Sequence, residues 1–256
     1  MSVAPRHAVP GGPRHHVRQD RPVRRFLAAP VITESSLSRA PASSAIRLSI
    51  RSRSADSRSR SEAAVPGLGG RVDRSRVAAA GHSFGGQTAG ILLGLRVRDP
   101  ETGEAEDLSD ARVRAGVLLA TAGNGGDDLT PFAAEHLPWL RHPDFTRMTA
   151  PALVVAGDRD DLPLTVRGAD WTTDPYVLSP GDKSLLTLFG AEHFLGGISG
   201  YEVAETTDEN PSHVALVQQV TLAYLRHALD VESSGWAAVR RALSAGTHPL
   251  GRLESK

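Results

Sequence analysis

From Val65 onward, short apolar runs alternate with longer stretches in which apolar positions recur at helical spacing. Arg76-Val77-Ala78-Ala79-Ala80 is the first buried-strand candidate. Ala115–Ala120, Ala152–Ala156 and Ser184–Phe189 are the second, third and fourth. Each is nearly continuous in apolar character, as a strand covered on both faces requires. Between and after them lie amphipathic stretches. One runs from the first strand through Ile91, Leu92 and Leu95. Another opens at Asn210-Pro211, an N-cap followed by proline in the first turn. Its apolar stripe is Val214, Val217, Val220, Tyr224, Leu225 and Ala228. A last short helix is expected around Trp236–Leu243, ending before Gly246. This alternation predicts an α/β fold with a mostly parallel sheet and helices on both faces.

Residues 1–61 show no such pattern. They are rich in Arg, Ser and Pro, and their longest apolar run, Phe26 to Ile32, is broken by Pro30; Ala45–Ile50 has the pattern of one brief strand. Such a composition buries too little apolar surface to offset chain entropy, so disorder is expected. It is also what a GC-rich gene yields in a wrong reading frame. Two domains are therefore expected, with 62–256 as the folded one.

Charge sharpens the boundary. The whole chain carries 29 basic and 29 acidic residues, a net charge of zero. Residues 1–60 hold twelve arginines against Asp20, Glu34 and Asp56, so they carry +9 and the remainder −9. The zero sum gives no reason to expect nucleic acid or an anionic membrane as partner of the whole chain. There is no cysteine, which excludes disulfides, thiol catalysis, thiolate zinc sites and iron–sulfur clusters. No apolar run approaches the ~18 residues of a membrane span. The apolar stretch after Arg24-Arg25 is too short and interrupted for a secretory signal, so a cytoplasmic location is expected.

The candidate chemistry begins at the end of the first strand. Gly81-His82-Ser83-Phe84-Gly85-Gly86 is a G-x-S-x-G sequence between a strand and a helix. A serine on that turn stands clear of the sheet, and the backbone N–H of Phe84 at the helix start is placed to stabilise a developing oxyanion. A serine hydroxyl needs a base, ordinarily a histidine held by a carboxylate. His7, His15 and His16 fall in the basic segment, His82 adjoins the serine, His213 and His227 sit on the long helix, and His248 lies near the tail. His193 follows the fourth strand in Gly190-Ala191-Glu192-His193-Phe194-Leu195-Gly196-Gly197, at the same sheet edge as Ser83 if the strands are parallel. For the acid, Asp160 in Gly157-Asp158-Arg159-Asp160-Asp161 is first choice. Asp158 and Asp161 compete with it, and Asp127 and Asp128 after the second strand are a further option.

The elbow, the Gly157–Asp161 turn and the histidine loop, in the order Ser, Asp, His, resemble the C-terminal half of an α/β-hydrolase over about residues 62–230. Gly-His-Ser-Phe-Gly-Gly is similar to elbows in the branch of dienelactone hydrolases, chlorophyllases, polyester-cleaving lipases and platelet-activating-factor acetylhydrolases. The resemblance implies Ser83 as nucleophile, His193 as base and Asp160 as orienting acid, with no metal or organic cofactor. It implies a small-molecule ester as substrate, cleaved through an acyl-enzyme.

One departure shapes the expectations. In the family about four strands precede the elbow strand, and the loop after the third supplies the second oxyanion donor. Here Glu62–Gly70 is the only stretch before the elbow strand with the character of a remnant helix and loop. The fold is therefore expected to be incomplete on its N-terminal side, with an apolar strand edge open to self-association. Besides a working serine hydrolase, two other functions compete. One is a catalytically crippled remnant; the other is an anion- or RNA-binding adaptor acting through the basic segment.

Overall fold

The computed structural model describes residues 72–100, 102–200 and 206–256. The Arg/Ser/Pro-rich segment, the candidate strand Ala45–Ile50 and the Glu62–Gly70 stretch lie outside the described residues.

Among the described residues five strands form one sheet in the order β1 (Val77–His82), β2 (Val113–Leu119), β3 (Ala152–Gly157), β4 (Lys183–Leu188) and β5 (Gly251–Ser255). The first four are parallel, and β5 runs antiparallel to β4. Sequential order needs a crossover between each parallel pair. The chain supplies these with α1 (Phe84–Leu92) after β1, α2 (Pro131–His136) after β2 and the one-turn α3 (Asp174–Val177) after β3. Two longer helices, α4 (Pro211–Ala228) and α5 (Ser234–Ser244), follow β4 and lead into β5. This is an α/β fold with a mostly parallel sheet and helices, as the alternation of apolar runs predicts. None of the described helices is long and apolar enough to cross a membrane.

The period of two along each strand divides the core between the faces. Leu153 and Val155 of β3, with Leu186 and Leu188 of β4, face Leu216, Val217, Val220 and Tyr224 of α4 and Trp236 of α5. Ala152, Val154 and Ala156 point the other way, into a cluster with Ala89 and Ile91 of α1 and with Leu95, Phe145 and Met148. β3 is buried along its whole length, which explains its unbroken apolar sequence.

Three expectations are adjusted. The helix after β1 stops at Leu92, because Gly94 turns the chain at φ 110°; Leu95 lies beyond the helix yet is fully buried. In α4 the buried stripe includes His213 and Leu216, whereas Val214 is only half-buried. Strand β5 had no visible signal. Of Gly251-Arg252-Leu253-Glu254-Ser255 only Gly251 and Leu253 are buried, and one large apolar side chain in five residues gives no readable alternation. At the opposite side of the sheet β1 pairs with β2, and no other described strand pairs with it. This is the edge at which the sequence predicts self-association.

Candidate active site

Parallel strands bring their C-terminal ends to one edge of the sheet. There the β1–α1, β3–α3 and β4–α4 connections meet. The β1–α1 turn is the sharpest. Ser83 adopts φ 55°, ψ −124°, a strained conformation for a residue with a side chain, and its N–H donates to the carbonyl of Leu119 at the end of β2 (2.9 Å). The flanking glycines are a steric requirement. A Cβ on Gly81 would sit 2.1 Å from the carbonyl oxygen of Gly85, and one on Gly86 would sit 1.8 Å from Thr121 Oγ1. Phe84 is the first residue of α1, and the first amides of a helix have no intrahelical acceptor. Its N–H is therefore oriented with the positive end of the helix beside Ser83.

The three connections place their polar side chains in one line. His193 Nε2 lies 3.0 Å from Ser83 Oγ. His193 Nδ1 lies 3.2 and 3.1 Å from the two carboxylate oxygens of Asp160. A carboxylate only accepts, so Nδ1 carries the ring proton and donates it to Asp160. In the neutral ring Nε2 is then the bare nitrogen, placed to accept from the Ser83 hydroxyl. The Asp160 side chain is wholly buried, while that of His193 is 15% exposed, so the carboxylate is shielded and the imidazole reaches a solvent-accessible face.

The other carboxylates considered from the sequence lie elsewhere. Asp158 accepts from the N–H of Gly190 (2.6 Å) and ties the two loops together through backbone. Asp161 is exposed and is not a hydrogen-bond partner of His193. Asp127 pairs with Arg141 at 3.3 Å, and Asp128 is exposed. The close approach of the acid and histidine loops depends on Gly157, where a Cβ would fall 2.2 Å from the carbonyl oxygen of Ala191.

Two participants carried no signal in the sequence. His82, set aside there as a neighbour of the serine, has Nε2 2.8 Å from the backbone carbonyl of His193. A carbonyl only accepts, so His82 donates from Nε2. Its ring also packs against those of His193 (4.8 Å between centroids) and Phe194 (5.4 Å). The other is Asp208, whose Oδ2 accepts from the N–H groups of Glu192 (2.7 Å) and Gly196 (2.9 Å).

Around Ser83 the walls differ in character. The Phe84 ring lies 6.5 Å from that of Trp139. Both belong to an apolar cluster with Leu137, Leu162 and Leu164 around buried Leu140 and Trp171. That cluster is braced by Arg167, which grips Asp174 with both terminal nitrogens (2.6 and 2.9 Å) and donates to the carbonyl of Asn124 (3.1 Å). Asp174 in turn accepts from the N–H of Asn124 (2.9 Å). The pairing raises the Arg167 guanidinium above its ordinary pKa. On the His193 side a cleft of about 360 Å³ is lined by Arg159, Asp160, Asp161, Leu162, Glu192, His193, Phe194 and Thr207. Among the described residues no group of His, Asp or Glu side chains is arranged to hold a metal ion.

No protein-family model matches the chain, and no curated protein matches it in sequence.

Proposed function

We propose that this chain is a serine hydrolase of the α/β-hydrolase type, cleaving a carboxylic ester through an acyl-enzyme. The observation that supports this reading best is the continuous Ser83–His193–Asp160 hydrogen-bonded line, with Ser83 on a strained turn at the start of a helix. Ring or chain hydrogen bonds of this kind are common singly. A buried acid, a half-buried base and a strained serine in one line are much less so.

In this reading His193 Nε2 takes the proton as Ser83 Oγ attacks the ester carbonyl. The imidazolium that forms is stabilised by the buried Asp160 carboxylate, and the N–H of Phe84 faces the developing oxyanion. His193 then returns the proton to the leaving alkoxide. The acyl-enzyme is hydrolysed by water, with His193 again acting as base. The Phe84–Trp139 wall favours an apolar group on the substrate.

The test is covalent labelling and turnover. A fluorophosphonate probe is expected to label the wild-type chain at Ser83 and to leave Ser83→Ala unlabelled. Hydrolysis of p-nitrophenyl butyrate is expected to fall by about 10³-fold or more in Ser83→Ala, with an unchanged circular dichroism spectrum. Esterase activity surviving in that variant would remove Ser83 from the mechanism. A wild-type chain that neither labels nor turns over would favour the remnant.

A further inference from the structure

His193 sits in a turn whose backbone is hard to hold. Between Gly190 and Gly197 four residues take positive φ: Gly190 (77°), Leu195 (50°), Gly196 (85°) and Gly197 (102°). Leu195 has a side chain and is fully buried. A non-glycine residue in this region costs energy and persists only where its surroundings over-determine it. The restraint comes from a distant segment. Asp208 Oδ2 accepts from the N–H of Glu192 at 2.7 Å and from that of Gly196 at 2.9 Å, so one oxygen clamps the residue before His193 and the third residue after it. Around it the N–H of Asn210 donates to the carbonyl of Gly196 (3.0 Å), and Thr207 Oγ1 donates to a carboxylate oxygen of Glu192. Asn210 is also the N-cap of α4, accepting from the N–H groups of Ser212 and His213. The clamp is thereby moored to the longest of the described helices.

We propose that Asp208 is a positioning residue for His193. It fixes the turn that holds Nε2 within reach of Ser83 Oγ, and touches no reacting group itself. The inference rests on the reading of His193 as the base. It assigns the work of Asp208 to its acceptor geometry and not to its charge, because both contacts are backbone N–H groups of the turn. Asn at this position keeps an acceptor oxygen, whereas Ala leaves both amides without a partner.

Two measurements on the full chain test it. In hydrogen exchange, the segment 190–197 is expected to lose protection in Asp208→Ala and to retain it in Asp208→Asn. With p-nitrophenyl butyrate, Asp208→Ala is expected to lower kcat by roughly 10- to 100-fold at unchanged KM, the scale of a small misplacement of a catalytic group. Asp208→Asn is expected to restore kcat to within about threefold and to leave the acidic limb of the pH profile where it is in the wild type. If Asp208→Ala does not fold, Asp208→Ser, whose shorter side chain cannot reach both amides, is expected to show the same loss. Unchanged exchange in Ala or Ser, wild-type kcat in either, or Asn as impaired as Ala would each overturn the proposal. A wild type without esterase activity would overturn the hydrolase reading alone, and loss of protection in Asp208→Ala would still support the clamp.

Discussion

At the scale of single residues, the site divides labour by burial. Asp160 is sealed from solvent and makes two contacts to Nδ1 of His193, so its carboxylate fixes which ring nitrogen bears the proton. Asp160→Asn would present an N–H₂ group to that nitrogen and favour the opposite tautomer, with the proton facing Ser83. Turnover of p-nitrophenyl butyrate is expected to drop by about 10²- to 10⁴-fold in this variant. Asp127→Asn and Asp128→Asn, both at exposed carboxylates that are not hydrogen-bond partners of His193, are expected to stay within about threefold of wild type. The reverse ranking in steady-state assays would place the acid after β2.

Among elements, α4 matters beyond its packing. Its buried face, Leu216, Val217, Val220 and Tyr224, covers the sheet, while its N-terminus meets the histidine turn through Asn210. A Cβ on Gly196 would lie 2.6 Å from that of His213 and 2.8 Å from the carbonyl oxygen of Asn210, so the turn and the helix start are in direct contact. Asn210→Ala removes the side-chain cap and is expected to cost about 1 kcal/mol of stability, read by urea unfolding. Because the backbone bond from Asn210 N to Gly196 O survives, the loss is expected in stability and much less in kcat. Asp208→Ala is expected to lower kcat as well, which separates positioning from capping.

On the scale of the whole molecule, the end of the sheet away from the site holds a buried cation. Lys183 opens β4, is fully buried, and donates from Nζ to the carbonyl of Pro180 (2.7 Å). Burial, with a smaller contribution from the nearby Lys256, lowers its pKa from 10.5 to about 8. Between about pH 8 and 10.5 the unfolded chain therefore holds a proton on this amine that the folded chain has released. Stability from this group rises with pH across that window, and the penalty of the buried charge is fully present below it. Lys183→Met is expected to exceed the wild type in stability near pH 7, by a margin that shrinks as pH approaches 10. Urea unfolding of both proteins at matched pH checks this, since other titrations cancel in the difference. A margin independent of pH would show that folding leaves the pKa of this amine unshifted.

The sequence by itself determined β1 to β4, the helices α1, α4 and α5, and the order of Ser83, Asp160 and His193 along the chain, but not the short α2 and α3. It could do so because strands buried on both faces must be continuously apolar, and because the turn at Ser83 leaves no room for a side chain at Gly81 or Gly86. Asp158, Asp160 and Asp161 are three carboxylates within four residues, and they differ only in where the backbone points them. That was decided by the β3–β4 register and by Gly157 meeting Ala191. Strand β5, the bond from His82 to the His193 carbonyl and the Asp208 clamp had no local signature. Each is a contact between segments far apart in the chain, made by a residue whose type is ordinary at its own position. Only the packing of α4 and the loops over the sheet brings them together.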